Sequence, residues 1–482
     1  MNYRMVFYNI GRILLVEAIL LVFPAIGAIV YGDNTLTAFA LAIAALTATG
    51  LLAVRKKPKK TTIYAKDGYV IVALTWILMS FFGALPFFLS GYIPSFVDAF
   101  FETVSGFTTT GSTILREIES LPKSLLFWRS FTHWIGGMGI LVFVIAILPK
   151  TESSSMHVMR AEVPGPTVGK LVSKLRASAR ILYGIYCVLT LTEILLLFAG
   201  GMPLFDSIVN SFATAGTGGF GILNNSIEGY GSVYAEMVIA VFMLIFGVNF
   251  NLYYMMLIKQ GKQAIKSEEL RWYVGVVAAS VIIIAFSLIS TKHEIGDSFR
   301  YSFFQVASII TTTGFSTTNF DTWPVVSKFI LVFLMFVGAC AGSTGGGIKV
   351  SRLIILIKSG LRDIKKAINP RSVETVKVDR QTVDEPIVRS VSVFFATYML
   401  VAAVSMFIIA VDGRDLVTTS TSVIACLGNI GPGLGAVGPY GNYADFSILS
   451  KLVLSFDMLA GRLELIPMLM LFSPYAWSRK YS

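Results

Sequence analysis

The sequence predicts an all-α integral membrane protein: four pseudo-symmetric helix–pore loop–helix units around one pore, plus two N-terminal transmembrane helices. Three observations carry that prediction. The chain is 55% hydrophobic and 14% charged, with a mean hydropathy of +0.73, well above soluble averages. A 14-residue stretch recurs four times without gaps: DAFFETVSGFTTTG (98–111), DSIVNSFATAGTGG (206–219), YSFFQVASIITTTG (301–314) and TTSTSVIACLGNIG (418–431). Each copy ends on glycine, and its eighth residue is always small: Ser105, Ala213, Ser308 and Ala425. Basic residues gather in alternate loops, at 55–60, 150–180, 259–271, 349–389 and the 479–480 tail, while 201–230 has none. That is the positive-inside bias, and it predicts that both termini are cytoplasmic.

The elements follow in order. Two helices, over residues 6–31 and 35–54, precede the first repeat in a segment 1–66. The apolar run 13–31 is long and is followed by another span, so it reads as a retained helix and not as a cleavable signal. The units then occupy 67–177, 178–268, 269–385 and 386–482. Each opens with an outward helix, over 68–91, 179–200, 270–290 and 386–410. A segment of about 12 residues follows, too short to span. Start signals lead these segments: Pro94-Ser95, Pro203 and Asp206, Gly296-Asp297, and Gly413 with Asp415. A return helix closes each unit, over 123–148, 232–258, 325–358 and 448–476. A short helix that starts outside points its negative carbonyl end at the membrane centre, favouring a cation by up to ~1 kcal/mol.

The turns after the short helices read TTTGST (108–113), GTGGFG (216–221), TTTGFS (311–316) and GNIGPG (428–433), with no charged residue. Selectivity must then come from backbone carbonyls and threonine hydroxyls that replace the water shell of a monovalent cation. Non-helical backbone at membrane depth belongs where it lines a cavity, and glycine lets successive carbonyls turn the same way. The turns differ: units one and three are rich in threonine, unit two in glycine, and unit four carries Pro432. One firm site near Gly111, Gly219, Gly314 and Gly431 is expected, with looser neighbours.

Two features interrupt return helices. Residues 338–347 (GACAGSTGGG) hold five glycines, each costing a helix about 1 kcal/mol against alanine. Small residues also mediate close helix contacts in membranes. Gly338 and Gly342 fit that four-residue spacing, but the run Gly345–Gly347 does not. A mobile loop beneath the turns is the favoured reading. Arg462 lies inside the apolar run 452–472, where an unpaired arginine costs at least ~2.5–3.5 kcal/mol. Asp457 and Glu464 are not at pairing distance along one helix face. Arg462 is therefore either half of an ion pair with another helix or a fixed positive charge below the turns. Arg129, His133, Glu102, Glu193, Asn249 and Asn251 read as helix–helix hydrogen-bonding residues.

Other chemistries find no support. The three cysteines (Cys187, Cys340, Cys426) have no metal or disulfide spacing. GSTGGG lacks the preceding strand of a phosphate-binding loop, so no organic cofactor is expected in this chain. The net charge of +11 follows topology and does not indicate nucleic acid. No HExxH motif or nucleophile–base set points to an enzyme.

The four-unit plan, TTTG in turns one and three, CAGSTGGGIK at 340–349, GPGLGAVG at 431–438 and AGRLE at 460–464 closely resemble the TrkH/TrkG potassium-uptake subunits. These belong to the superfamily of K⁺ transporters that includes KtrB, which lacks the extra N-terminal pair. The resemblance spans essentially the whole chain. It implies K⁺ translocation in a bacterial or archaeal plasma (inner) membrane, with filter residues Thr110, Gly111, Gly218, Gly219, Thr313, Gly314, Ile430 and Gly431. It implies an intramembrane gate of Gly338, Cys340, Gly342, Ser343, Thr344, Gly345, Gly346, Gly347 and Lys349, with Arg462 as the pore arginine. It also implies a homodimer and a TrkA-like cytosolic subunit that binds the nucleotide and docks on loops 151–177 and 362–385. A K⁺/H⁺ or K⁺/Na⁺ symporter working by alternating access stays open, since a broken helix could serve that too.

Overall fold

In the computed structural model, residues 1–58, 65–139, 175–291 and 294–477 are described. The rest of the first return helix (to residue 148), nearly all of the loop 151–177 and the 479–480 tail lie outside them. Six helices among the described residues are long and apolar enough to cross a membrane, or seven if one bent pair counts as a single span. Two short strands, Lys377–Val378 and Gln381–Thr382, form a hairpin.

The N-terminal span runs through Tyr3–Leu20 and Val22–Tyr31, and Leu36–Val54 returns beside it. Their contact depends on small residues. A Cβ added to Gly50 would lie 2.8 Å from the Leu15 side chain, and one on Gly11 would lie 2.6 Å from the Ala53 Cβ. Without a hydrophobic drive between helices in lipid, such close approach supplies the attraction through dispersion.

The outward helices are Ala65–Gly83 with its extension Leu85–Leu89, then Leu175–Ala199, Glu268–Ile289 and Glu385–Ile409. The short helices are Phe96–Phe107, Leu204–Gly216, Ile295–Ile310 and Leu416–Leu427. Two expected start signals work as side-chain caps. The Asp415 carboxylate accepts from Thr418 N at 2.9 Å, and Ser95 Oγ accepts from Asp98 N at 3.4 Å. Pro203 occupies the capping position of the second, and the third begins at Ile295, just before Gly296-Asp297.

The return helices differ from expectation. The sequence reading interrupts them in units three and four only. Instead all four stop after 13 to 15 residues: Lys123–Gly137, Val233–Phe246, Val325–Val337 and Ile448–Arg462. The expected continuous helix 232–258 is two helices, Val233–Phe246 and Phe250–Leu257, bent by 88°. The cause is local. Gly247 ends the first, and Asn249 Oδ1 accepts from Asn251 N at 2.9 Å to cap the second. Asn249 is a cap, not the helix–helix contact its position suggests. The third helix resumes as Val350–Ile368, and the fourth as Ile466–Leu471 after Glu464 and Leu465 take left-handed φ of 59° and 65°.

The close contact of the N-terminal pair sets a stability test. Gly50→Leu should lower the stability of the purified protein by about 1–3 kcal/mol, because the packed partner must move. Gly184→Ala, with nothing within 4 Å of the added Cβ, should raise the melting temperature or leave it unchanged.

Candidate functional site

Each short helix ends in the same cap. The N–H of Thr110, Gly218, Thr313 and Ile430 reaches back five residues to the carbonyl of Ser105, Ala213, Ser308 and Ala425, at 2.8–2.9 Å. The N–H of the preceding residue reaches back three, from Thr109 to Gly106, Thr217 to Thr214, Thr312 to Ile309 and Asn429 to Cys426. These paired bonds make a Schellman motif, which satisfies helix-end carbonyls and demands a left-handed residue. The residues at that position are Thr109, Thr217, Thr312 and Asn429, with φ of 54°, 54°, 60° and 55°. A β-branched residue rarely adopts such φ, so three units hold strained threonines where glycine is usual. The small eighth residue of each copy is the acceptor in this cap.

Two residues later the closing glycines are also left-handed, with φ of 83°, 73°, 85° and 95° for Gly111, Gly219, Gly314 and Gly431. Their neighbours close a ring. A Cβ on Gly111 would lie 2.1 Å from the Gly218 carbonyl oxygen, on Gly219 2.0 Å from that of Thr313, and on Gly314 2.1 Å from that of Ile430. On Gly431 it would lie 2.6 Å from the carbonyl oxygen of Thr110. The eight expected filter residues thus meet in cyclic order, each unit touching the next. Any side chain at these glycines would strike backbone. The ring carbonyls, of Thr110, Gly218, Thr313 and Ile430, all belong to the residue before the closing glycine, and the Gly431 carbonyl itself accepts from the Tyr443 hydroxyl at 2.8 Å.

Buried polar groups hold this ring from behind. Arg129 Nε lies 2.6 Å from Glu102 Oε1, with both side chains buried. The Glu102 carboxylate also accepts from Thr113 Oγ1 and Ile114 N at 3.0 Å, at the end of the first turn. Arg129 donates to the Gly221 carbonyl at 2.8 Å and lies over the Phe220 ring at 3.6 Å, at the end of the second turn. This pair therefore ties units one and two together. His133 stacks on Phe220 at 4.1 Å and backs Gly218. Asn429 Nδ2 donates to Thr110 Oγ1 at 3.0 Å and to the Met458 carbonyl at 2.8 Å, tying unit four to unit one. Thr108 and Thr311 each share a 2.8 Å hydroxyl–hydroxyl bond with the threonine two residues on.

The loop 338–349 lies directly beneath. A Cβ on Gly345 would lie 2.8 Å from the Thr311 carbonyl oxygen, and one on Gly346 would lie 2.5 Å from that of Gly428. Gly346 N donates to Thr312 Oγ1 at 2.6 Å. The loop also seats in the break of the second return helix. Cys340 N donates to the Gly247 carbonyl at 3.0 Å, Phe250 N to that of Gly342 at 3.0 Å, and Thr344 Oγ1 to that of Phe246 at 3.2 Å. Ser343 Oγ donates to the Cys340 carbonyl at 2.6 Å, and buried Lys349 Nζ donates to the Gly345 carbonyl. The gate residues expected from the sequence are brought together with the filter residues.

Arg462 completes the site. Its guanidinium donates to the Thr344 carbonyl at 2.8 Å, to that of Gly137 at 2.9 Å and to that of Gly136. It thus joins the breaks of units one and four to the loop of unit three. Asp457 accepts from Ser405 at 2.7 Å, and Glu464 pairs with Arg352. Carbonyl oxygens satisfy guanidinium donors.

Sequence reasoning missed the left-handed Thr109, Thr217, Thr312 and Asn429, the Glu102–Arg129 clamp, Tyr443 and the break at Gly247. A signal existed for the first. These four residues occupy position 12 of every repeat, and Asn429 is the αL-tolerant type. No group of three His, Cys, Asp or Glu able to hold a metal ion occurs among the described residues.

Comparison with known proteins agrees with this architecture. The model of the TrkH family, described as a cation transport protein, matches residues 34–481. The Trk system potassium uptake protein TrkH of Salmonella typhimurium is 37% identical, with 99% of this chain and 100% of that protein covered. TrkG of Escherichia coli K12 is 31% identical, with 98% of each chain covered. The crystal structure of the potassium transporter TrkH from Vibrio parahaemolyticus superposes with a TM-score of 0.89 at 33% identity, covering 99% of this chain and 100% of that one.

The buried clamp yields a stability prediction. Arg129→Met or Glu102→Gln alone should cost about 3–5 kcal/mol, since each strands a buried partner. The double variant should recover much of that loss, read as melting temperature in detergent. Equal and additive losses would show that the pair is not coupled.

Proposed function

The chain belongs to the TrkH family of cation transport proteins, and on that premise we propose that it carries K⁺ into the cell through a filter of backbone carbonyls. The observation that carries this reading is the closed ring of four glycines. Each left-handed glycine lies against the carbonyl-bearing residue of the next unit, from Gly111 round to Gly431. A dehydrated K⁺ exchanges its water shell for such oxygens, here those of Thr110, Gly218, Thr313 and Ile430. The short helices direct their carbonyl ends toward the same point and add a cation-favouring field. The unlike turns make a shorter and less demanding filter than four identical ones.

On this reading the four units, with the boundaries read from the sequence, surround one permeation path, and both termini lie in the cytoplasm. Gly338, Cys340, Gly342, Ser343, Thr344, Gly345, Gly346, Gly347 and Lys349 form the gate below the filter. Arg462 holds it closed by binding the Thr344 carbonyl, and its charge repels the cation. Opening must free the loop from the second-unit break. A cytosolic nucleotide-binding subunit docks on the basic faces 151–177 and 362–385, and the chain works as a homodimer.

Three outcomes are expected for the full chain in liposomes. Arg462→Ala should raise K⁺ flux roughly 10-fold, since a fixed charge and a loop bond are lost together. Lower flux with folding intact would sink the gate role. Gly314→Ala should cut flux at least ~10-fold, because the added methyl meets the Ile430 carbonyl. The reversal potential should follow the K⁺ gradient alone. A shift with pH or Na⁺ would favour the symporter, whose discontinuous helices the 88° break also fits.

A further inference from the structure

We propose that Glu268 and Glu269 couple the hairpin 377–382 to the intramembrane loop, with Glu269 as the latch that keeps the loop seated. The inference rests on the reading of that loop as a gate. The two glutamates are consecutive at the start of the helix Glu268–Ile289, so their side chains point about 100° apart. One faces the loop and the other faces the hairpin.

Glu269 grips the loop at both ends. A single oxygen, Oε1, accepts from Ala341 N at 2.7 Å and from Ser351 N at 3.2 Å. Ala341 is inside the loop, and Ser351 is in the first turn of Val350–Ile368, where backbone N–H groups lack helical partners. One carboxylate therefore ties the loop to the helix that follows it, and the positive end of that helix favours the charge. Thr312 holds the loop from above and Arg462 from the side. Glu269 is the holder that adjoins a solvent-facing element.

Glu268 is bound to that element by reciprocal bonds. Its N–H donates to Asp379 Oδ1 at 2.6 Å, and Asp379 N donates to its Oε2 at 3.2 Å. Lys358 Nζ lies 2.5 Å from Glu268 Oε1 and donates to the Lys377 carbonyl at 2.7 Å. The hairpin itself is stiff. Lys377 pairs with Thr382 and Val378 with Gln381, across a two-residue turn in which Asp379 and Arg380 are both left-handed, at 51° and 65°. Val376 anchors its base in a buried cluster with Ile355, Val388 and Val391. Tilting the hairpin must move the start of helix 268–289, and with it the Glu269 carboxylate.

Cys340, buried in the loop, reports loop release without reference to ion flux. In a Cys187→Ser, Cys426→Ala background the full chain is reconstituted in liposomes. The reaction of Cys340 with a charged methanethiosulfonate from the cytoplasmic face is timed beside K⁺ flux. Glu269→Gln should speed labelling and raise flux by about 10-fold, the worth of a charged hydrogen bond. Glu269→Asp, which keeps the charge but shortens the reach, should fall between, and it serves if the first variant folds poorly. Asp379→Ala should speed labelling by a smaller factor and add nothing in the Glu269→Gln background. Wild-type labelling rates in folded Glu269 variants would overturn the latch. Additive effects of Asp379→Ala would overturn the coupling. Labelling tests the latch and wild-type K⁺ flux tests permeation, so the two readings fail separately.

Discussion

The five-residue hydrogen bond at the end of each short helix is the constraint on which the rest depends. It takes the N–H of Thr110, Gly218, Thr313 or Ile430 back to the small eighth residue of the repeat. Closing it forces Thr109, Thr217, Thr312 and Asn429 into left-handed backbone. The chain then leaves each helix along the same path, and the glycine two residues on arrives against its neighbour. A helix end buried in a membrane has no water to satisfy its carbonyls, so this cap cannot be relaxed without cost. Three β-branched threonines in strained conformations show that the cap outweighs local preference. Such strain persists only where the surroundings over-determine it, as the clamps of Glu102–Arg129, Asn429 and Tyr443 do here.

The same need to satisfy backbone polar groups explains the level below. Four broken return helices expose N–H and carbonyl groups in the membrane interior. They satisfy one another: the unit-three loop bonds to the break in unit two, and Arg462 takes carbonyls from units one and three. An arginine suits this role because it offers five donors and no acceptor, and it stays charged. The loop is thus held by contacts from units two and four, from unit one through Arg462, and from the helix that precedes its own short helix.

Much of this was legible in the chain. Hydropathy predicted the spans, and the gapless repeat placed the four turns, their closing glycines and the short helices to within a few residues. Five glycines in ten residues marked the third break. What escaped was carried by single residues with ambiguous signals. Gly247 and Asn249 look like packing residues inside an apolar run, yet together they make a stop and a start. Glu102 and Arg129 lie 27 positions apart in the chain, and nothing local says that they pair. Arg462 stands in an apolar run, and nothing local says that its partners include the carbonyls of Gly136, Gly137 and Thr344.

The sequence by itself determined the membrane class, the repeat, the left-handed glycines and the uncharged character of the turns. These are local or periodic properties, written in residue types and spacings. Tertiary structure alone decided the cyclic order of the units, the partners of Arg462, the seat of the loop in the second unit and the adjoining of the hairpin to Glu268. Those are contacts between segments distant in the chain. Backbone groups make most of them, and because every residue carries the same carbonyl and every residue but proline the same N–H, residue identity cannot encode which will meet.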